Sequence, residues 1–385
     1  MFRHNLTLFT LWGFRVRINV SWIFLALLIV WSLAQGFFPM QFPGRSEALY
    51  WTLGLIGAFG LFFSLLFHEM SHSLVARWRG MKMGGITLFL FGGVAEMTDE
   101  PPTPRIEFEV AIAGPLASIF LAVVFHLLGA GLAAALGMSV NEALSSPWLG
   151  VLGYLALINL VLALFNLVPG YPLDGGRLLR AWLWHRRGDI VSATHTASRA
   201  GQGFGMLLIG LGVYSMFTTA STAGVWWVLI GAFIIFIARQ SYTQVQMRQT
   251  FSGHRVGDFI AGEAVSAPPD ITLEAFLSDY AYRYHFSLYP VTEGDRLVGC
   301  IRVRDLKAIP RAEWASARVR EAMQSCHAHN TVRIDEDAQA ALQKMQSSES
   351  GQLIVTDGAG RLAGIVTLRD MLAHLAIQEE LEHVP

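Results

Sequence analysis

The chain has 385 residues, of which only 15% are charged against roughly 25% in an average soluble protein, and its mean hydropathy is +0.43. A formal net charge of -1 gives no electrostatic basis for nucleic-acid binding, and two cysteines, Cys300 and Cys326, provide neither a disulfide framework nor a thiolate metal site. Much of this sequence therefore belongs in lipid, with length enough for two or three domains.

Met1 to Asn19 carries Arg3, Arg15 and Arg17 among apolar residues and reads as an interfacial segment. It lacks a continuous apolar core and a small-residue cleavage site, so no cleavable signal peptide is expected. Ser21–Phe38 is the first spanning candidate, close to the ~20 residues that a bilayer core requires. A loop with Pro43 and Arg45 leads to the second, Leu49 to about Val75, which ends in Phe67-His68-Glu69-Met70-Ser71-His72. Histidines four apart on a helix share a face and can grip one metal ion, while the glutamate between them reaches a water on that ion rather than the ion itself. Charge at the end of such an apolar run costs roughly 2.5–3.5 kcal/mol even on lenient insertion scales, an expense that marks function.

Gly84–Met97 is too short to span as a helix. Ile86 to Phe91 is β-prone, Gly92-Gly93 is expected to turn, and Val94 to Met97 resumes, which reads as a hairpin. Such a hairpin is tolerable at membrane depth only when buried in protein or lining a watery cavity, and its free edge would accept an extended peptide by strand addition. Phe91, Gly92, Gly93 and Val94 are the candidate substrate-binding residues.

Glu107–Leu136 supplies a third span, interrupted by Gly114-Pro115, which invites a kink and close helix packing. Trp148–Leu167 is the fourth, running into Asn166-Leu-Val-Pro169-Gly-Tyr-Pro172-Leu-Asp174-Gly175-Gly176-Arg177. After a basic stretch, Gly203–Phe217 and Val225–Ile237 form the fifth and sixth. Basic residues cluster before the first span and after the second, fourth and sixth, while the opposite loops hold only Arg45. The positive-inside rule then puts both termini and the metal-motif end on the cytoplasmic side.

Beyond about Gln240 the composition becomes that of a soluble domain, with an internal duplication. One copy opens at Val256-Gly-Asp-Phe and closes with Gly299-Cys-Ile-Arg302-Val-Arg-Asp305. The other opens at Val319-Arg-Glu-Ala-Met323 and closes with Gly364-Ile-Val-Thr367-Leu-Arg-Asp370, its closing aspartate 65 residues after the first. Each copy reads as β-α-β-β-α. The expected organisation is a membrane core at 1–240, a linker at 241–254, and repeats at 255–310 and 311–385.

A catalytic zinc keeps three protein ligands and an open position for water. His68 and His72 are two, and Glu96, Glu107, His126 and Asp174 are the candidates for the third. Asp174 is preferred, because it follows the fourth span on the side where the second span ends. There, prolines break the helix and Gly175-Gly176 permits the tight backbone that turns a carboxylate inward; the competing reading has Asp174 capping a helix that begins near Arg177. Glu69 is the candidate general base, and the Asn166 amide is placed either to hold a substrate carbonyl or to satisfy the broken helix end.

Together, His68-Glu69-x-x-His72 and Asn166-x-x-Pro169-x-x-Pro172-Leu-Asp174-Gly175 resemble the site-2 protease family of intramembrane zinc metalloproteases, over roughly Ser21 to Ile237. The subgroup is the one in which the catalytic core precedes paired cystathionine-β-synthase (CBS) domains. That resemblance implies a multi-pass α-helical membrane protein of about six spans with a short membrane-associated β-hairpin, followed by a soluble α/β CBS pair. It implies one zinc per chain with Asp174 as third ligand, and cleavage of membrane-anchored, commonly regulatory, proteins in or near their transmembrane segment. A prokaryotic cytoplasmic membrane is the expected location, and the hairpin is implied to lie beside the active site.

The C-terminal repeats are similar to a CBS pair, which implies adenine-nucleotide binding between copies and association into homodimers. Thr367 and Asp370 fit that family's phosphate and ribose positions; in the first copy Asp305 remains, but Arg302 stands where the hydroxyl would be. The alternative function is a metal or solute transporter with a regulatory CBS pair, since transporters also use broken helices and intramembrane carboxylates. Glu69 discriminates, because transport through the same ligands needs no base beside the first histidine.

Overall fold

Backbone N–H and C=O groups in lipid have no water to bond, so apolar runs of this length fold as helices. The computed structural model describes residues 5–81, 83–89, 92–97, 100–218, 223–251, 253–260, 262, 264–326, 330–347 and 351–382, and its chain separates into two units, Met1–Val245 and Gln246–Pro385. In the first unit a hairpin of β1 (Asn5–Leu11) and β2 (Phe14–Asn19) leads into α1 (Val20–Ser32), which a π-helical turn joins to α2 (Phe38–Gln41). There follow α3 (Glu47–Trp78), β3 (Met83–Phe89), β4 (Gly92–Met97), α4 (Pro104–Ala135), α5 (Val140–Leu144), α6 (Pro147–Asn166), α7 (Asp174–Arg187), α8 (Ile190–Thr218) and α9 (Ala223–Thr250).

Among the described residues, six helices are long and apolar enough to cross a membrane: Val20–Gln41, Glu47–Trp78, Pro104–Ala135, Pro147–Asn166, Ile190–Thr218 and Gly224–Met247. The fifth starts well before the expected Gly203, because Asp189 accepts hydrogen bonds from the Val191 and Ser192 N–H groups and so supports a helix start there. Ser46 starts α3 in the same way, accepting from Leu49 N–H. At about 1.5 Å per residue, His68 and His72 lie roughly 32 and 38 Å along α3, near the far edge of a ~30 Å hydrocarbon core. α4 continues as one helix through Pro115 and packs on α3, α6 and α7.

The structure revises two sequence expectations: it adds strand pairing to the first segment and moves a turn. The segment read as interfacial is a strand pair: Phe14, Val16 and Ile18 are buried while Arg15 is exposed and Arg17 half-buried, the alternation of a one-sided strand. Trp12 and Gly13, both with positive φ, make the two-residue turn that matches strand twist. β2 pairs in parallel with β3, giving a four-stranded sheet in the order β1-β2-β3-β4. The second correction concerns the turn of the expected hairpin. Gly92 pairs with Phe89 and Gly93 with Leu88, so both glycines belong to β4, and the connection falls at positions 90 and 91, outside the described residues along with Phe91. Val16, Ile18 and Ile86 pack with Leu66 and Met70 of α3, seating the sheet against the helix that carries the histidines.

The second unit contains α10 (Leu273–Phe276), α11 (Tyr282–Tyr284), β5 (Leu288–Glu293), β6 (Arg296–Arg302), α12 (Val319–Ala322), β7 (Thr331–Arg333), α13 (Ala338–Ser347), β8 (Gln352–Thr356), β9 (Leu362–Thr367) and α14 (Leu368–Glu382). The second copy has the expected β-α-β-β-α order. The first departs from it: Ala267 makes only an isolated bridge to Val291 in place of an opening strand, and the closing segment Val303–Ala308 is a 3-10 helix. The copies also exchange their opening turns. Val256 and Phe259 pack with Val332, Leu342 and Val366, while Val319 packs with Phe276, Tyr289 and Ile301.

Candidate metal centre

The i, i+4 spacing on α3 puts both imidazoles on one face, and each ring is then aimed from outside. His68 Nδ1 is 2.9 Å from Ser118 Oγ, and His72 Nδ1 is 2.6 Å from the Val110 carbonyl oxygen, both partners on α4. With Nδ1 engaged, each Nε2 is turned toward the same point, as is usual for metal-ligating histidines. His68 is 2% exposed and His72 4%.

The third group arrives from the break after α6. α7 begins at Asp174 itself, with Leu173 as a residue that makes no side-chain cap, so the carboxylate is not spent on capping. A Cβ on Gly175 would stand 2.2 Å from the Leu167 oxygen, and one on Gly176 would stand 2.2 Å from Tyr171 N, so only glycine lets α7 start this close to its own approach loop. Behind the loop, Tyr171 N–H donates to the Ala197 carbonyl of α8, and Gly201 of α8 packs against the Tyr171 carbonyl. Asp174 Oδ2 is thereby held 3.1 Å from His68 Nε2 and 3.3 Å from His72 Nε2, and the two Nε2 atoms are 3.3 Å apart.

Those three edges fit a metal. Ligand atoms 2.0–2.2 Å from a tetrahedral zinc stand roughly 3.4 Å apart. Only glycine fits beside them: a Cβ built on Gly114 of α4 would fall 2.2 Å from His72 Nε2 and 2.6 Å from His68 Nε2, inside contact distance of both rings. Among the described residues, His68, His72 and Asp174 form the one cluster of three such donors.

Glu107 and His126 lie elsewhere, and of Glu96 only the backbone is described. Glu107 is ion-paired with Arg180 of α7, and His126 lines a separate apolar cavity of about 710 Å³ with Phe125 and Tyr154. Glu96 pairs through its backbone with Gly85. Glu69 lies between the histidines on α3 and contributes no atom to the three-donor cluster. Asn166 closes α6, one amide N–H donating to the Leu162 carbonyl at 3.0 Å. Gly92, Gly93 and Val94 lie on β4, at the edge of the sheet.

In the second unit Thr367 Oγ1 donates to Asp370 Oδ2 at 2.6 Å and accepts from Asp370 N–H. Both line a cavity of about 210 Å³ with Val265, Phe286, Gln352 and Ile365. Asp305 is not among its lining residues; it lies 3.7 Å from Arg304, and Arg302 donates to Asn330 at 3.1 Å.

Sequence reasoning missed Ser118, the Val110 carbonyl and the Gly114 clearing. Their only trace is the spacing 110, 114, 118, which repeats at close to one helical turn along α4.

The family model for peptidase family M50 matches residues 56–210, and that for the CBS domain matches residues 319–377. The zinc metalloprotease Rip3 of Mycobacterium tuberculosis is 37% identical over 361 residues, covering 93% of this chain and 90% of the relative. Zinc metalloprotease MJ0392 of Methanocaldococcus jannaschii is 29% identical over 382 residues, 99% of each chain. Among solved structures, the site-2 protease from Methanocaldococcus jannaschii is similar over 62% of this chain and 94% of its own, at 28% identity and a TM-score of 0.43.

Proposed function

Starting from the fact that the chain belongs to the site-2 protease family of zinc metalloproteases, peptidase family M50, with a CBS domain after its catalytic region, we propose that it hydrolyses a peptide bond in or near the transmembrane segment of a membrane-anchored regulatory protein. The observation that carries this reading is the set of three donor atoms 3.1–3.3 Å apart beside Gly114, two of them on the spanning helix α3 and the third at the start of α7. His68, His72 and Asp174 would hold the zinc. Bound there, zinc supplies the Lewis acidity that brings water's pKa toward ~7 and polarises the scissile carbonyl.

The chain's own residues do the rest. Glu69, one residue after the first histidine, takes the proton of the attacking water and returns it to the leaving amine nitrogen. Ser118 and the Val110 carbonyl keep both imidazoles turned inward throughout. The Asn166 side-chain amide, whose second N–H is not used by the Leu162 bond, holds the substrate carbonyl or backbone, and the outer edge of β4 pairs with the unwound substrate strand at Gly92, Gly93 and Val94. The cytoplasmic side is assigned to the metal end, both termini and the CBS pair, because Arg77, Arg79, Arg180, Arg186 and Arg187 follow the second and fourth spans.

The CBS pair is assigned an adenine nucleotide at the Thr367–Asp370 cavity, and it regulates cleavage through any difference in nucleotide affinity between conformations. The pair is also the surface through which two chains associate. Replacing Glu69 tests the reading: Glu69→Gln in reconstituted membranes is expected to lose cleavage while zinc content stays at one per chain. Retained cleavage overturns the mechanism. Trapping with the same variant in its native membrane identifies what it holds.

A further inference from the structure

Glu107 and Arg180 are each 2% exposed, and they pair across the interface of α4 and α7 with Arg180 Nε donating to Glu107 Oε1 at 2.6 Å. Arg180 Nη2 reaches the same oxygen, and the guanidinium lies over the Tyr171 ring, 5.2 Å from its centroid. Glu107 Oε2 is buried with no hydrogen-bond partner. A pair satisfied on one oxygen alone is poorly explained as a stabilising device, because a buried ion pair commonly gains nothing over well-packed apolar residues of the same volume. What such a pair provides is a fixed register between the elements that carry it.

We propose that Glu107 and Arg180 are a positioning pair for Asp174, locking α7 onto α4 so that the Asp174 carboxylate stands at ligand distance from His68 and His72. Asp174 and Arg180 are about 9 Å apart along α7 and about 120° apart around it. A contact at Arg180 therefore blocks both the sliding and the rolling of α7 that would carry Asp174 away. The partner is well chosen: Glu107 lies on the stripe of α4 that presents the Val110 carbonyl to His72 and Ser118 to His68, so all three ligands are referred to one helix face. Tyr171 under the guanidinium ties the approach loop into the same anchor.

The proposal rests on the metal assignment, and full-length protein in detergent, loaded with cobalt(II) in place of zinc, separates the two. Wild type is expected to give the visible bands of a tetrahedral N₂O site. Glu107→Gln and Arg180→Gln are each expected to shift and weaken those bands, and to lower zinc affinity about 10- to 100-fold, the range for groups that orient ligands. Their effect on cleavage should fall on kcat more than on KM. The double variant Glu107→Gln/Arg180→Gln removes both charges of the pair together, so neither is left buried without the other, and guards against misfolding of the single ones; it is expected to recover the thermal midpoint while its cobalt bands stay displaced.

Wild-type bands and zinc affinity in a folded single variant, or recovery of bands and midpoint together in the double variant, overturn the positioning role. A wild-type chain that takes up no cobalt, or one whose uptake is unchanged by His68→Ala, overturns the metal assignment instead and the proposal with it.

Discussion

Gly114→Ala separates metal binding from folding. The added Cβ would lie 2.2 Å from His72 Nε2 and 2.6 Å from both His68 Nε2 and His72 Cε1. Ordinary contact begins near 3.4 Å, so the imidazoles or α4 must give by roughly 0.8–1.2 Å, several times the ±0.2 Å tolerance of ligand distances. If α4 moves, the Val110 carbonyl and Ser118 move with it, and both rings lose their alignment. Outer-shell losses of that kind cost about 10- to 100-fold in metal affinity, or about 1.4–2.7 kcal/mol, and a methyl group pressed against both Nε2 atoms sets this as the floor. The helix itself is not weakened, since alanine is a better helix former than glycine by up to ~1 kcal/mol. Zinc content by mass spectrometry, zinc affinity by chelator competition and thermal midpoints of the apo forms should therefore move apart. Gly131→Ala, on the same helix with open space around it, is the control and should leave zinc content and affinity unchanged while the apo midpoint holds or rises. Zinc affinity within twofold of wild type in Gly114→Ala would refute the placement of the ion between these residues.

Asp174→Asn should lower zinc stoichiometry below one per chain in dialysed protein, and unchanged zinc would send the third-ligand role to another group. Ser118→Ala removes the partner of His68 Nδ1 but no ligand, so zinc should stay bound with affinity reduced about 10- to 100-fold; chelator competition checks it. Thr367→Val deletes the hydroxyl that both donates to and accepts from Asp370, and calorimetric titration with ATP or AMP should show at least about tenfold weaker binding, with membrane-core zinc unaffected.

The parts of this fold that were legible are those with a short period or a fixed local chemistry. The i, i+4 histidines, the apolar spans and the Pro-Pro-Asp-Gly-Gly break all announce themselves within a dozen residues. Phe14-Arg15-Val16-Arg17-Ile18 carries an equally plain period of two, but its arginines beside a first span drew attention to a membrane surface, and the strand's partner, Ile86, is some seventy residues on. Glu107 shows why a carboxylate in an apolar run is ambiguous: its partner, Arg180, is 73 residues away, and nothing near either residue names the other. The Val110 carbonyl has no side-chain signature at all. The exchange of opening turns between the C-terminal copies was hidden for the same reason, since Val256 and Val332 meet only through tertiary packing.

The arrangement on α4 follows from how two adjacent spans must run. α3 can supply both ligating rings but cannot orient them, because an imidazole's second nitrogen points away from its own helix. The orienting groups must come from a neighbour, and consecutive spans are antiparallel, so their order is reversed: the earlier His68 meets the later Ser118, and the later His72 meets the earlier Val110. Eight residues separate those two contacts, slightly more than two turns, which keeps them on one face. The residue midway between them then faces both Nε2 atoms at once. At that position any side chain would press on both imidazoles, and in this chain it is Gly114.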